Sequence, residues 1–121
     1  MNRALELSKK IYEAGFEPDM TARSSKGSTN IYLTIGKPDM QEDIKSFFNI
    51  YPWFSTDWCW EMLPDSIDHL NSLVVTKNAI VYEESPDHIS TYYCEIKDSL
   101  HEALLETICW CIDNRHIKVV K

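Results

Sequence analysis

The strongest hydrophobic pattern in the chain lies near its C-terminus, between Ser99 and Asn114. At about 100° per residue, its acidic residues fall on one narrow stripe, and apolar residues cover nearly all of the rest. Ser99 and Glu102 have the spacing of a capping box, and Asp98 is a competing cap. This pattern predicts a long central helix that is buried on more than one side.

A second amphipathic pattern runs from Asn2 to Ala14, with apolar residues on one face and charged residues on the other. Gly15 stands where the end of a helix favours glycine, and Pro18 prevents continuation. Residues 17–30 are polar and rich in Ser and Thr, which predicts a loop or a ragged edge.

Short segments between the two helices combine β-branched or aromatic residues with turn signals. Residues 30–35 read as a strand, residues 72–83 as a hairpin that turns at Lys77-Asn78, and residues 90–97 as a third antiparallel strand. Two further segments predict a helix over 39–48 and a tail over 116–120 that adds an edge strand or simply packs.

These elements predict a single α+β domain over residues 1–121. A small antiparallel sheet, made of the hairpin and one or two further strands, is expected to pack against the long C-terminal helix. The amphipathic N-terminal helix is expected to cover the same core.

The segment from Tyr51 to Leu63 contains three of the four tryptophans. Ser55 or Thr56 can cap a two-turn helix in it, and Pro64 stops that helix. Large aromatic residues fill the cores of small domains, but they also line binding sites. Both interpretations stay open, and the candidate binding residues are Trp53, Trp58 and Trp60.

Charge and composition narrow the classes of partner. Twelve basic and nineteen acidic residues give a net charge of −7, which disfavours direct binding to a nucleic acid. No apolar run approaches the ~18 residues of a membrane span, and the charged N-terminus does not resemble a signal peptide. A cytoplasmic protein with reduced cysteines is therefore expected.

The sequence contains few residues arranged for metal binding or catalysis. Cys109 and Cys111 would lie about 200° apart on a helix, so they cannot hold one ion or form a disulfide with each other. Acidic and histidine neighbours occur at Asp65, Asp68 and His69, and again at Asp87-His88, which makes a weak divalent-metal site conceivable. No catalytic motif is present, and no cofactor is expected.

The stretch from Trp53 to Trp58 (WFSTDW), the Leu63-Pro64 pair and the run from Glu102 to Ile112 are similar to small uncharacterised phage and prophage proteins, among them phage sandwich-type domains. The similarity covers about residues 51–114. It implies an origin in a mobile element and assigns no catalytic residues.

The leading functional hypothesis is a small acidic domain that acts by binding another protein, with a homo-oligomer as a further option. One alternative is a small metal-dependent or thiol enzyme. Another alternative is an acidic protein that imitates a nucleic acid.

Overall fold

The computed structural model describes residues 3–25, 30–36, 48–68, 71–84 and 89–118. Within these ranges, two runs of three strands are separated and flanked by helices, as in an α+β protein. The helices are α1 (Arg3–Glu13), α2 (Thr56–Met62) and α3 (Leu100–Asp113). The strands are β1 (Met20–Ser25), β2 (Tyr32–Ile35), β3 (Phe48–Trp53), β4 (Asn71–Val75), β5 (Ala79–Glu84) and β6 (Ile89–Glu95).

Helix α3 confirms the helix that the C-terminal pattern predicts. The Ser99 hydroxyl caps it by accepting a hydrogen bond from the Glu102 N–H at 3.3 Å. Leu104, Leu105 and Ile108 are completely buried. The helix ends before Arg115, which adopts a positive φ of 63°.

Helix α1 confirms the N-terminal prediction and lies beside α3. Its apolar side is buried, with Leu7 and Ile11 in the main core. Two exposed ion pairs join the helices, Arg3–Glu106 at 2.6 Å and Lys10–Asp113 at 2.9 Å. Exposed pairs of this kind contribute little, so apolar burial holds the two helices together.

Strands β4, β5 and β6 form an antiparallel sheet, named sheet B here, with β5 in the middle. It confirms the predicted hairpin and third strand. The hairpin closes where the Thr76 N–H donates to the Ala79 carbonyl at 2.9 Å. Ile80 and Tyr82 of β5 are completely buried, and the Tyr82 hydroxyl donates to the Pro64 carbonyl at 2.7 Å.

A second antiparallel sheet, named sheet A, has the order β2-β1-β3. Strand β2 confirms the prediction for residues 30–35. The prediction of a loop over 17–30 is wrong for residues 20–25, which form the central strand of this sheet. Polar residues in β1 are buried because tertiary hydrogen bonds satisfy them: the Thr21 hydroxyl donates to the Gly36 carbonyl at 2.8 Å.

Three further sequence predictions differ from the structure or fall partly outside the described residues. Residues 51–53 belong to β3 and precede the helix that the aromatic segment predicts. The predicted helix over 39–48 lies outside the described residues except at Phe48, which begins β3. Residues 116–118 of the tail form no strand, and residues 119–120 lie outside the described part.

The main hydrophobic cluster is built by the helices and sheet B. Sheet B supplies Ile80 and Tyr82 to it, and further side chains of β4 and β6 pack around them. Among the described side chains of sheet A, only Trp53 packs against this cluster. Sheet A therefore contributes less to this cluster than sheet B does, although Thr21, Ala22 and Ser24 of its middle strand are buried and β3 contacts α1.

Candidate functional site

The three candidate tryptophans occupy different environments. Trp58 of α2 is half-buried and packs against the core, with its ring centroid 4.4 Å from that of Phe54 and 5.9 Å from that of Phe16. Trp60 lies on another side of α2 and is 41% exposed. Trp53 is half-buried at the end of β3, where it reaches the surface of sheet A. Trp60 is thus the most exposed of the three, and Trp53 and Trp58 are both half-buried.

Asp19 holds the segment that follows Trp53 in place. Its carboxylate accepts a hydrogen bond from the Ser55 N–H at 2.9 Å and a second from the Ser55 hydroxyl. The Ser55 oxygen in turn caps α2 by accepting from the Trp58 N–H at 3.1 Å. The Asp19 carbonyl also accepts from the Gly36 N–H at 2.8 Å, so one residue connects β1, the end of β2 and the start of α2.

His101, in the first turn of α3, stacks on Trp53 with ring centroids 4.9 Å apart. Its Nε2 lies 2.5 Å from the Phe54 carbonyl oxygen. Since a carbonyl only accepts, Nε2 is the donor, and this hydrogen bond sets the orientation of the ring. Trp53 is consequently fixed between its own strand and α3.

A cleft of about 370 Å³ opens beside this stacked pair, and we call it the Trp53 cleft. Its lining comes from both outer strands of sheet A, from β1, from the start of α2 and from α3. The lining residues are Met20, Leu33, Trp53, Ser55, Thr56, Asp57 and His101. Asp57 is exposed, and neither a lysine nor an arginine lines the cleft among the residues that the structure describes.

The register of sheet A places apolar side chains together on the face that carries this cleft. Residues directly opposite each other in antiparallel strands point to the same face of a sheet. The pairing forms two rows across the sheet, Ile35–Met20–Trp53 and Leu33–Ala22–Tyr51. Ile35 is 93% exposed and Leu33 is 44% exposed, so the β2 ends of both rows are open to solvent.

The outer side of β2, named the β2 edge here, pairs with no other strand within the described ranges. All four residues of the strand are exposed, including Tyr32 at 58%. Proteins commonly protect such edges with lysine, proline or a bulge, because free N–H and C=O groups attract another strand. The sequence of β2, Tyr-Leu-Thr-Ile, contains no charge and no proline.

The predicted metal residues do not converge where they are described. The Asp68 carboxylate accepts hydrogen bonds from the Asn71 N–H at 2.7 Å and the Asn71 amide at 2.9 Å, which fixes the start of β4. Asp65 is exposed nearby, whereas His69 and residues 87–88 lie outside the described part of the chain. Within that part, no group of three or more His, Cys, Asp or Glu side chains is arranged to hold a metal ion.

The described cysteines are all unpaired thiols. Cys109 donates to the Leu7 carbonyl of α1 at 3.8 Å, whereas Cys111 contacts Tyr82 of sheet B. Burial raises the pKa of both thiols to about 11 and that of Cys59 to about 12. These three thiols therefore stay protonated at neutral pH, which makes them poor nucleophiles.

A larger groove of about 470 Å³ runs between β6 and the start of α3. Four carboxylates line it, from Glu95, Asp98, Glu102 and Glu106. Glu106 already pairs with Arg3. None of the three candidate tryptophans contributes to this groove.

No family model, no curated protein and no solved structure matches the chain. The similarity of residues 51–114 to phage and prophage proteins therefore stays a prediction. None of the helices in the described ranges has the length and apolar character needed to cross a lipid bilayer.

The sequence pointed to Trp53 but not to the residues gathered around it. The sequence does contain a signal for Leu33 and Ile35: these apolar residues alternate in a short strand that has no charged residue, which is typical of an unprotected strand edge. No sequence pattern pointed to Asp57 or His101, because their place in the cleft depends on how α2 and α3 pack against sheet A.

Proposed function

We propose that the chain is a cytoplasmic protein-binding domain that takes an extended segment of a partner along the β2 edge. The observation that carries this proposal is the four-residue strand β2, which is exposed throughout and unpaired on one side within the described ranges. An added strand obtains main-chain hydrogen bonds from such an edge, and neighbouring apolar side chains provide selectivity.

The apolar face of sheet A defines which partner segment fits. Side chains at alternate positions of an added strand lie beside Leu33 and Ile35, so they continue the two apolar rows. Covering an exposed isoleucine contributes about 1.5–3 kcal/mol to binding, and Ile35 is almost fully exposed. The partner segment therefore carries apolar residues at alternate positions.

Charge favours a different protein over a second copy of this chain. Each copy carries a net charge of −7, and like charges of this size oppose self-association. A partner segment with basic residues is instead attracted by the net negative charge of this chain. The occupant that we propose is thus a basic, partly apolar segment of another protein.

Selection from a displayed library of random peptides tests this proposal. We expect the selected peptides to alternate apolar residues and to contain lysine or arginine. Ile35→Lys should weaken their binding by about tenfold or more, because it removes apolar contact and adds a positive charge. Ile89→Lys is the matched control, since Ile89 is 60% exposed on the β6 edge of sheet B.

Three results would contradict the proposal. The first is a library that yields no binding peptide, and the second is equal loss of binding in the two variants. The third is a wild-type chain that sediments as a dimer and becomes a monomer in Ile35→Lys, because a second copy would then occupy the edge.

A further inference from the structure

The hydrogen-bond register of sheet A determines which main-chain groups of β2 face outward. The Gly36 N–H donates to the Asp19 carbonyl at 2.8 Å, and these two residues continue the register that pairs β1 with β2. In an antiparallel pair, hydrogen-bonded and non-hydrogen-bonded positions alternate. Thr34 therefore bonds to β1, whereas the N–H and C=O groups of Leu33 and Ile35 point away from β1.

Pro52 of β3 supports this assignment from the other side of β1. It lies opposite Thr21 and has no N–H, so this pair suits a non-hydrogen-bonded position. Thr21 then directs its own main-chain groups toward Thr34, which is its partner in β2. The main-chain groups that an added strand can reach are thus those of Leu33 and Ile35.

On the basis of the proposed function, we infer that the partner segment adds antiparallel to β2, and that Leu33 and Ile35 each bind one of its residues through both main chain and side chain. In an antiparallel hydrogen-bonded pair, the two opposite residues exchange both main-chain hydrogen bonds, and their side chains lie on the same face. The two partner residues opposite Leu33 and Ile35 therefore carry the apolar side chains.

The partner residue between these two faces the other side of sheet A. It lies opposite Thr34, which is exposed, in the closer kind of pair where Cα atoms are about 4.5 Å apart. Threonine and other β-branched residues pair well across antiparallel strands at this distance. The central three residues of the partner are thus apolar, β-branched and apolar.

Two features favour the antiparallel direction. Both strand pairs of sheet A are antiparallel, and purely antiparallel sheets are over-represented among proteins. Parallel addition would also separate the two kinds of contact, because the residues beside Leu33 and Ile35 would then direct their main-chain groups away from β2. Antiparallel addition combines both contacts in the same residues.

The contacts of the added strand stay on β2. Neighbouring strands lie about 4.8 Å apart, so Leu33, Thr34 and Ile35 are one spacing from the added strand. Trp53 lies two strands further in, on β3, and takes no part in this contact.

Two scans of one selected peptide test the inference. In the first scan, each amide in turn is replaced by an ester, which removes one N–H donor. We expect binding to weaken about threefold to tenfold at two positions that are two residues apart, and to stay within about twofold at the position between them. In the second scan, each side chain in turn is replaced by that of serine. It should identify the same two positions, with losses of about tenfold or more.

Double-mutant cycles give the direction separately. In the antiparallel arrangement, the peptide residue opposite Ile35 precedes the residue opposite Leu33. Ile35→Ala should therefore be non-additive with serine at the N-terminal of the two apolar positions, and Leu33→Ala with serine at the C-terminal one. Each variant is the matched control for the other, since both side chains are exposed on the same strand.

The outcomes separate this inference from the proposed function. Ester-sensitive positions that alternate with the serine-sensitive positions, or coupling in the reverse order, would overturn the inference and leave the β2 edge as the binding site. Peptides that bind Ile35→Lys as well as the wild-type chain overturn the proposed function, and the inference with it. A peptide that depends on Ile35 but tolerates an ester at every position adds no strand, which overturns both.

Discussion

Sheet A and sheet B have the same plan, three antiparallel strands with one strand in the middle, but they are stabilised in different ways. The middle strand of sheet B buries Ala79, Ile80, Val81 and Tyr82 in succession. The middle strand of sheet A has the polar sequence MTARSS, and its sheet reaches the main cluster only through Trp53 among the described side chains. Sheet B supplies its middle strand to the main cluster, whereas sheet A buries Thr21, Ala22 and Ser24 in its middle strand but leaves its outer strand β2 exposed.

This difference explains why one molecule carries both a stable core and an exposed apolar strand, β2. Residues that face the core contribute to folding, so a change there lowers stability. Residues on the open face of β2 contribute little to folding, so they are available for binding. The predictions that follow test this division.

The largest expected effect compares one isoleucine from each sheet. Ile80→Ala should lower the free energy of unfolding by about 2–5 kcal/mol, because the side chain is fully buried in the main cluster. Ile35→Ala should change it by less than about 0.5 kcal/mol, because the side chain is almost fully exposed. Urea denaturation measures both values, and similar losses in the two variants would remove the distinction between the sheets.

A smaller effect is expected at the polar connection that positions sheet A. Asp19→Ala removes two hydrogen bonds to Ser55 and should cost about 1–3 kcal/mol. The loss should be local, so hydrogen exchange should accelerate at the amides of β1 while the amides of β5 keep their protection.

Glu61→Ala, which removes an exposed carboxylate from α2, serves as the control for this experiment. It should leave exchange in both sheets unchanged. Equal acceleration in β1 and β5 after Asp19→Ala would show that the two sheets open as one unit, against the comparison drawn above.

Sequence patterns predicted the elements whose burial follows a simple period. Helix α3 and the sheet B hairpin are of this kind, because their apolar residues recur on one side and their caps or turns are local. Strand β1 is not, since its polar residues become buried only through partners on other segments, such as the Gly36 carbonyl for Thr21. Local propensity carries no information about such pairing.

The residues of the candidate site also fall into two groups, those that a local sequence pattern predicts and those that only tertiary packing brings together. Trp53 stood out by composition, and Leu33 and Ile35 by alternation without charge. The stacking of His101 on Trp53 joins residues that are far apart in the chain, and the place of Asp57 in the cleft depends on how Ser55 starts α2. Contacts of that range arise from packing and leave no local pattern.

The most direct test of the account is amide hydrogen exchange in the presence of a selected peptide. If the segment adds to sheet A, the outward-facing amides of residues 32–35 should exchange rapidly in the free chain and become protected in the complex. The amides at the β6 edge of sheet B should exchange at the same rate in both states. Protection that appears at β6, or a complex in which residues 32–35 stay unprotected, would contradict the claim that β2 is the docking edge.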